Sequence, residues 1–217
     1  MRAIGKGREP VELGTYRAYP GTTYDGPNFT PVKDRIREEL LKEQGHLCAY
    51  CMQRIEDDCL ATKVEHWRSR KAYPAEQLDC RNLLACCNGN EGEPPGSQHC
   101  DTRKGECDLS LSPADPAHHP RLGIRYDGFG TIRSAGDQFD RELNDVLNLN
   151  WHRLRKNRRG VWKAVTMALS CKGGRRTRPE IQKLLARWQR HDAAGRLQEY
   201  CGVAAYYLEK KLAQMAT

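Results

Sequence analysis

The chain has 217 residues, 38% of them hydrophobic, and 36 Lys or Arg against 28 Asp or Glu, a net charge of +8. That length allows one medium domain or two small ones, and with only three phenylalanines the cores should be modest and helped by a metal. No apolar run is long enough for a signal peptide or a bilayer span, so no membrane role is expected and a reducing cytoplasm is. The basic excess favours a polyanion partner, of which nucleic acid is the commonest.

Residues 1–30 are rich in Gly, Pro and Tyr without sustained periodicity, which predicts an extended arm. Lys33 to Gln44 has the spacing of a helix, with Ile36, Leu40 and Leu41 on one face and Gly45 as its stop. Short strands are expected near Met52–Ile55 and Thr62–Trp67, and Leu83–Ala85 is expected to open a short helix. Asn88–Gln98 is a loop by its Gly and Pro content, and residues 108–120 look like a linker. Asp127-Gly128, flanked by alternating apolar residues, predicts a hairpin. From Asp140 onward the pattern is helical, with a buried stripe through Leu197, Cys201, Ala204, Leu208, Leu212 and Met215.

The ten cysteines are concentrated, eight of them lying between positions 48 and 107. In a reducing compartment such clusters serve metals more often than disulfides. Cys48-x2-Cys51 is a knuckle in which two thiolates share one ion, and it needs a second half. Cys86 or Cys87, with Cys100, supplies that half and completes a tetrahedral structural zinc site with no position open for water. His99, beside Cys100, is an alternative ligand. Cys59, Cys80, Cys107, Cys171 and Cys201 are read as non-ligands.

Within that frame lie Glu65-His66, Asn82 and the run Cys100-Asp-Thr-Arg-Lys104. The order resembles the HNH endonucleases. "MRAIGKGREP", "VEHWRS", "NLLACC", "QHCDTRKG" and "LNLN" narrow the resemblance to the HNH partner of Septu-type and retron-linked antiphage systems, over residues 1 to about 160. The family spacing favours Cys87 over Cys86, with the twelve residues between Cys87 and Cys100 looped out of the knuckle. Asp101 stands where the family has His or Asn, and a carboxylate suits a hard cation better than asparagine does.

The resemblance implies an α+β chain with a zinc-braced ββα-metal core over residues 31–110. The arm would cover 1–30, a linker and hairpin 111–139, and a basic helical region 140–217. It further implies that His66 takes a proton from water, that Glu65 and Asp101 hold Mg²⁺ or Mn²⁺, that Asn82 pins the loop orienting His66, and that Lys104 contacts a phosphate. Adjacent strand residues face opposite ways, so Glu65 and His66 converge only if the strand ends or bends there. The implied function is a toxic endonuclease effector, DNA favoured, held by an ABC-type ATPase and in some systems accompanied by a retron reverse transcriptase and its DNA. RNA such as transfer RNA is the alternative substrate, and a silent zinc module that binds nucleic acid is the alternative of a different class. A redox use of Cys48 and Cys51 is a third.

Residues 151–190 hold thirteen Lys or Arg and one acid, Glu180, so the local excess is larger than the net charge of the chain. Arg153, Arg155, Lys156, Arg158, Arg159, Arg175 and Arg176 are expected to form a track for phosphates.

Overall fold

The first long helix sets the frame on which the two central strands are hung. In the computed structural model, which describes residues 1–170 and 176–215, α1 (Val11–Arg17) leads to α2 (Thr30–Gln44). Pro31 suits the first turn of α2 because it has no N–H to leave unpaired, so the helix starts before Lys33. Val32, Ile36, Leu40 and Leu41 are buried along one face. Gly45 ends the helix at φ 61°, and a Cβ there would come within 2.7 Å of the Leu197 side chain. From the end of α2, Gln44 donates through Nε2 to the Leu47 and Ala85 carbonyls and accepts from Ala85 N through Oε1.

The expected extended arm is instead folded. Met1, Ile4, Leu13, Tyr16, Tyr24 and Phe29 are all buried, and Leu13 and Tyr16 share one face of α1. Their irregular spacing in sequence hides a tertiary contact that no local period reports.

Residues 47–54 form a tight turn closed by a single Leu47–Arg54 bridge; the expected strand over Met52–Ile55 does not form. Strand β1 (Thr62–His66) pairs antiparallel with β2 (Leu83–Cys87), Glu65 opposite Leu84 and His66 opposite Leu83. Leu83–Ala85 therefore opens a strand and not a helix. A five-residue apolar run fits either period, and the pairing with β1 decides it. Asp79 caps the 3₁₀ turn Cys80–Asn82 just before β2. Helix α3 (Cys100–Lys104) then packs on β2.

Residues 108–120 are not a free linker, since Leu109, Leu111 and Ala114 are buried. Helix α4 (His119–Leu122) precedes the hairpin of β3 (Arg125–Tyr126) and β4 (Ile132–Arg133). Helix α5 (Asp137–Arg141) continues into a π-helical turn over Glu142–Val146. Helices α6 (His152–Ser170), α7 (Arg178–Gln189) and α8 (Cys201–Ala213) complete the described chain. One buried cluster draws residues from every part, Met1 through Val203, and a smaller one joins Val165, Ile181, Ala204 and Leu208. No described helix is long and apolar enough to cross a membrane.

Two members of the expected phosphate track are structural. Arg158 is 1% exposed, with Nε on the Gly130 carbonyl at 2.7 Å and Nη2 on the Leu149 carbonyl at 2.7 Å. It closes the β3–β4 turn onto α6, so it is not available to a phosphate. Arg176 bonds the Leu169 and Ala168 carbonyls at the end of α6 and pairs with Glu180. Arg175, like Cys171, lies outside the described residues. Arg153, Arg155, Lys156 and Arg159 are exposed on α6.

Charge counting cannot separate these two kinds of arginine, but stability can. Arg158→Ala strands two buried carbonyls and should cost about 2–4 kcal/mol in chemical denaturation, whereas Arg159→Ala should change stability by less than ~0.5 kcal/mol. Equal effects would contradict this placement.

Candidate active site

Four sulphurs meet where the 47–54 turn, the end of β2 and the start of α3 converge. The Sγ atoms of Cys48, Cys51, Cys87 and Cys100 all lie within 4.8 Å of one another, and all four residues are buried. Cys48–Cys100 is 3.8 Å and Cys51–Cys87 is 3.9 Å. A tetrahedron with metal–sulphur bonds of ~2.3 Å has edges of ~3.8 Å, whereas a disulfide would bring two sulphurs to ~2.05 Å. The spacing therefore fits a structural metal such as zinc. Burial pushes the Cys100 thiol well up, with its sulphur neighbours adding to the shift, and a dication would reverse that balance. Met52, next after Cys51, takes φ 66° and is fully buried, the strained corner that turns the knuckle back.

Cys86 is fully buried near Cys48 but outside the four-sulphur group. His99, the alternative ligand, lies outside the four-sulphur group: its Nδ1 sits 3.2 Å from Cys100 Sγ as a hydrogen-bond partner, and its ring stacks on Trp151. The twelve residues after Cys87 leave through a pinch at Gly89, where a Cβ would be 2.1 Å from the His99 carbonyl oxygen. Asn148 of the "LNLN" run holds that loop by the carbonyls of Gly96 and Gln98.

The other face of the knuckle reaches the acid-His pair. Tyr50, fully buried between the two knuckle cysteines, donates its hydroxyl to Glu65 Oε1 at 3.0 Å. Lys104 Nζ is 2.8 Å from the same oxygen and donates to the His66 carbonyl at 2.9 Å. Both partners use Oε1. Burial pushes the Glu65 carboxyl well above the usual range, the adjoining Asp101 carboxylate adds to this, and the Lys104 ammonium opposes it. Two crowded carboxylates, one raised by the other, form an oxygen donor set suited to a hard divalent cation.

Lys104 is 1% exposed and fully engaged, so the expected contact with a phosphate is not available to it. The ammonium lies behind Glu65, on the core side of α3. Asp101, in the first turn of α3, is partly exposed, and Lys63 Nζ lies 3.5 Å from it.

Strand β1 ends at His66, as convergence of the pair requires, and Glu65 and His66 line one cleft of about 710 Å³ together with Asp101. His66 Nε2 is 2.9 Å from the Gln77 carbonyl oxygen, which can only accept, so Nε2 carries the proton and Nδ1 keeps its lone pair. Burial pushes the ring's pKa down to about 4, so it is neutral near pH 7. The loop after His66 is fixed by Asn82, whose Oδ1 accepts from Arg68 N at 2.8 Å while Nδ2 donates to the Arg68 and Glu76 carbonyls.

No family model matches the chain. It is 24% identical over 172 residues to the "Retron Vc95 putative HNH endonuclease" of Vibrio cholerae serotype O1 biovar El Tor, covering 73% of this chain and 81% of that protein. It is 26% identical over 124 residues to "Septu protein PtuB" of Bacillus thuringiensis, covering 54% of this chain but only 42% of that longer protein. Both carry the family names to which the motifs led.

Tyr50, Gln77 and Tyr24, which reach into this site, were not among the expected residues. Tyr50 stood in plain view inside the cysteine motif, but a tyrosine there has no spacing rule that points it at Glu65. Purified protein should hold one zinc ion per chain by elemental analysis. Cys87→Ser should lose it and roughly 5 kcal/mol or more of stability, and Cys86→Ser should keep it. Loss of the ion from Cys86→Ser but not from Cys87→Ser would reverse the assignment.

Proposed function

We propose that the chain is a metal-dependent HNH endonuclease of an antiphage defence system, with β1, β2 and α3 as its ββα-metal core. The observation that carries this reading is the cleft itself, lined together by Glu65, His66 and Asp101 at the end of β1, with the histidine neutral and its Nε2 held by the Gln77 carbonyl. The names of the two relatives support it.

The residues divide the work. His66 Nδ1 accepts a proton from the attacking water, and the Gln77 carbonyl keeps the ring in the tautomer that allows this. Glu65 and Asp101 would hold Mg²⁺ or Mn²⁺, which supplies positive charge against the phosphate and the leaving oxygen. Lys104 and Tyr50 fix the position of Glu65, and Asn82 fixes the loop that follows His66. The four cysteines would take structural zinc, closed to water and therefore outside the chemistry.

DNA is the favoured substrate and RNA, such as transfer RNA, the second reading; the cleft chemistry acts on a phosphodiester that both share. Arg153, Arg155, Lys156 and Arg159 on α6 would contact phosphates beyond the cleft. By its relationship to Septu and retron proteins, the chain would act as a toxic effector with an ABC-type ATPase, and in a retron setting with a reverse transcriptase and its DNA.

The test is cleavage of plasmid DNA and total RNA by wild-type and His66→Ala protein with Mg²⁺ or Mn²⁺, in the presence of the ATPase. His66→Ala should cut at least ~10²-fold more slowly with its metal content unchanged. Equal rates would remove His66 from the mechanism, and protection from phage surviving the substitution would favour a silent zinc module.

A further inference from the structure

The mouth of the cleft contains an arrangement that the cleavage chemistry does not use. Tyr24, from the segment between α1 and α2, sets its ring edge-on to His66 with centroids 4.5 Å apart. Its backbone N–H donates to Gln77 Oε1 at 3.0 Å, on the residue whose carbonyl oxygen holds His66. Two cations lie over the Tyr24 ring, Lys33 Nζ at 5.1 Å and the Arg70 guanidinium at 4.8 Å from its centroid. One carboxylate holds both: Asp25 Oδ1 is 2.9 Å from Lys33 Nζ, and Oδ2 is 3.1 Å from Arg70 Nη1. The Tyr24 hydroxyl is buried and has no hydrogen-bond partner among the described residues.

A carboxylate bridging two cations through its two oxygens stands in for two oxygens of a phosphate, because both groups present paired anionic acceptors to Lys and Arg. We propose that Lys33 and Arg70 form a subsite for a phosphate of the nucleic-acid strand beside the scissile one, and that Asp25 fills this subsite until a strand displaces it. This rests on the nuclease reading above. The exchange is feasible because the side chains of Asp25, Lys33 and Arg70 are 49%, 38% and 46% exposed. Exposed pairs of this kind are individually weak, whereas a strand brings several charges and releases counterions. Asp25 sits at φ 62°, a left-handed conformation that aspartate tolerates better than most residues, on the short turn leading into α2.

Binding to labelled DNA and RNA oligonucleotides, read by fluorescence anisotropy over a salt series, tests the subsite in a His66→Ala background that does not cut. Added to that background, Asp25→Asn should tighten binding roughly three- to tenfold. Lys33→Ala with Arg70→Ala should weaken binding and lower the salt slope by about 0.9 for duplex or about 0.7 for single strands, the signature of one lost phosphate contact. Affinities and slopes equal to those of the His66→Ala parent would overturn the subsite and leave the nuclease reading standing. A parent that binds neither DNA nor RNA would overturn both. Weaker binding by Asp25→Asn would overturn the claim that Asp25 competes with the strand.

Discussion

Tyr50 has its backbone between two cysteines of the sulphur cluster and its hydroxyl on Glu65, and through that contact the four-sulphur cluster and the cleft become one structure. A buried carboxylate is costly unless its partners are fixed. Here the partners come from two elements that the cysteines themselves hold in place. The knuckle brings Tyr50, and α3, which begins at Cys100, brings Lys104. The position of Glu65 is therefore tied to the cluster, although none of its four cysteines lines the cleft. Stability and function are coupled by geometry that a folding assay alone would not reveal.

The same economy of contacts governs the histidine. Lys104 donates to the His66 carbonyl, Gln77 accepts from the ring, and Asn82 stitches the following loop to the turn before β2. None of Lys104, Gln77 and Asn82 is among the residues lining the cleft, whose lining includes His66, Asp101, Lys33 and Arg70. Burial lowers the ring's affinity for a proton and keeps it neutral, and the Arg70 and Lys104 charges add to that effect.

Much of which residues meet at the candidate site was legible because they are clustered in sequence and of unusual type. The knuckle, the acid-His pair, Asn82 and Cys100-Asp101 are read from identity and order, and the end of β1 at His66 follows from the requirement that two neighbours face one cleft. What was illegible depends on tertiary contact. The run Leu83–Cys87 fits a strand or a helix until β1 pairs with it, and the first thirty residues look extended until Leu13, Tyr24 and Phe29 find the core. Lys104 looks like a phosphate ligand by the resemblance and Arg158 by the local charge, yet both are buried, one on a carboxylate and the other on carbonyls. Charge density in a sequence says that cations are present, and only packing says which of them face water.

The most direct test of this account is Mn²⁺ titration of wild-type and Tyr50→Phe protein by electron paramagnetic resonance, with zinc counted in the same samples. If the knuckle sets Glu65 through the Tyr50 hydroxyl, the substitution should weaken Mn²⁺ binding roughly ten- to hundredfold and leave the zinc in place. Unchanged Mn²⁺ affinity in Tyr50→Phe, or no Mn²⁺ binding by the wild type, would contradict it.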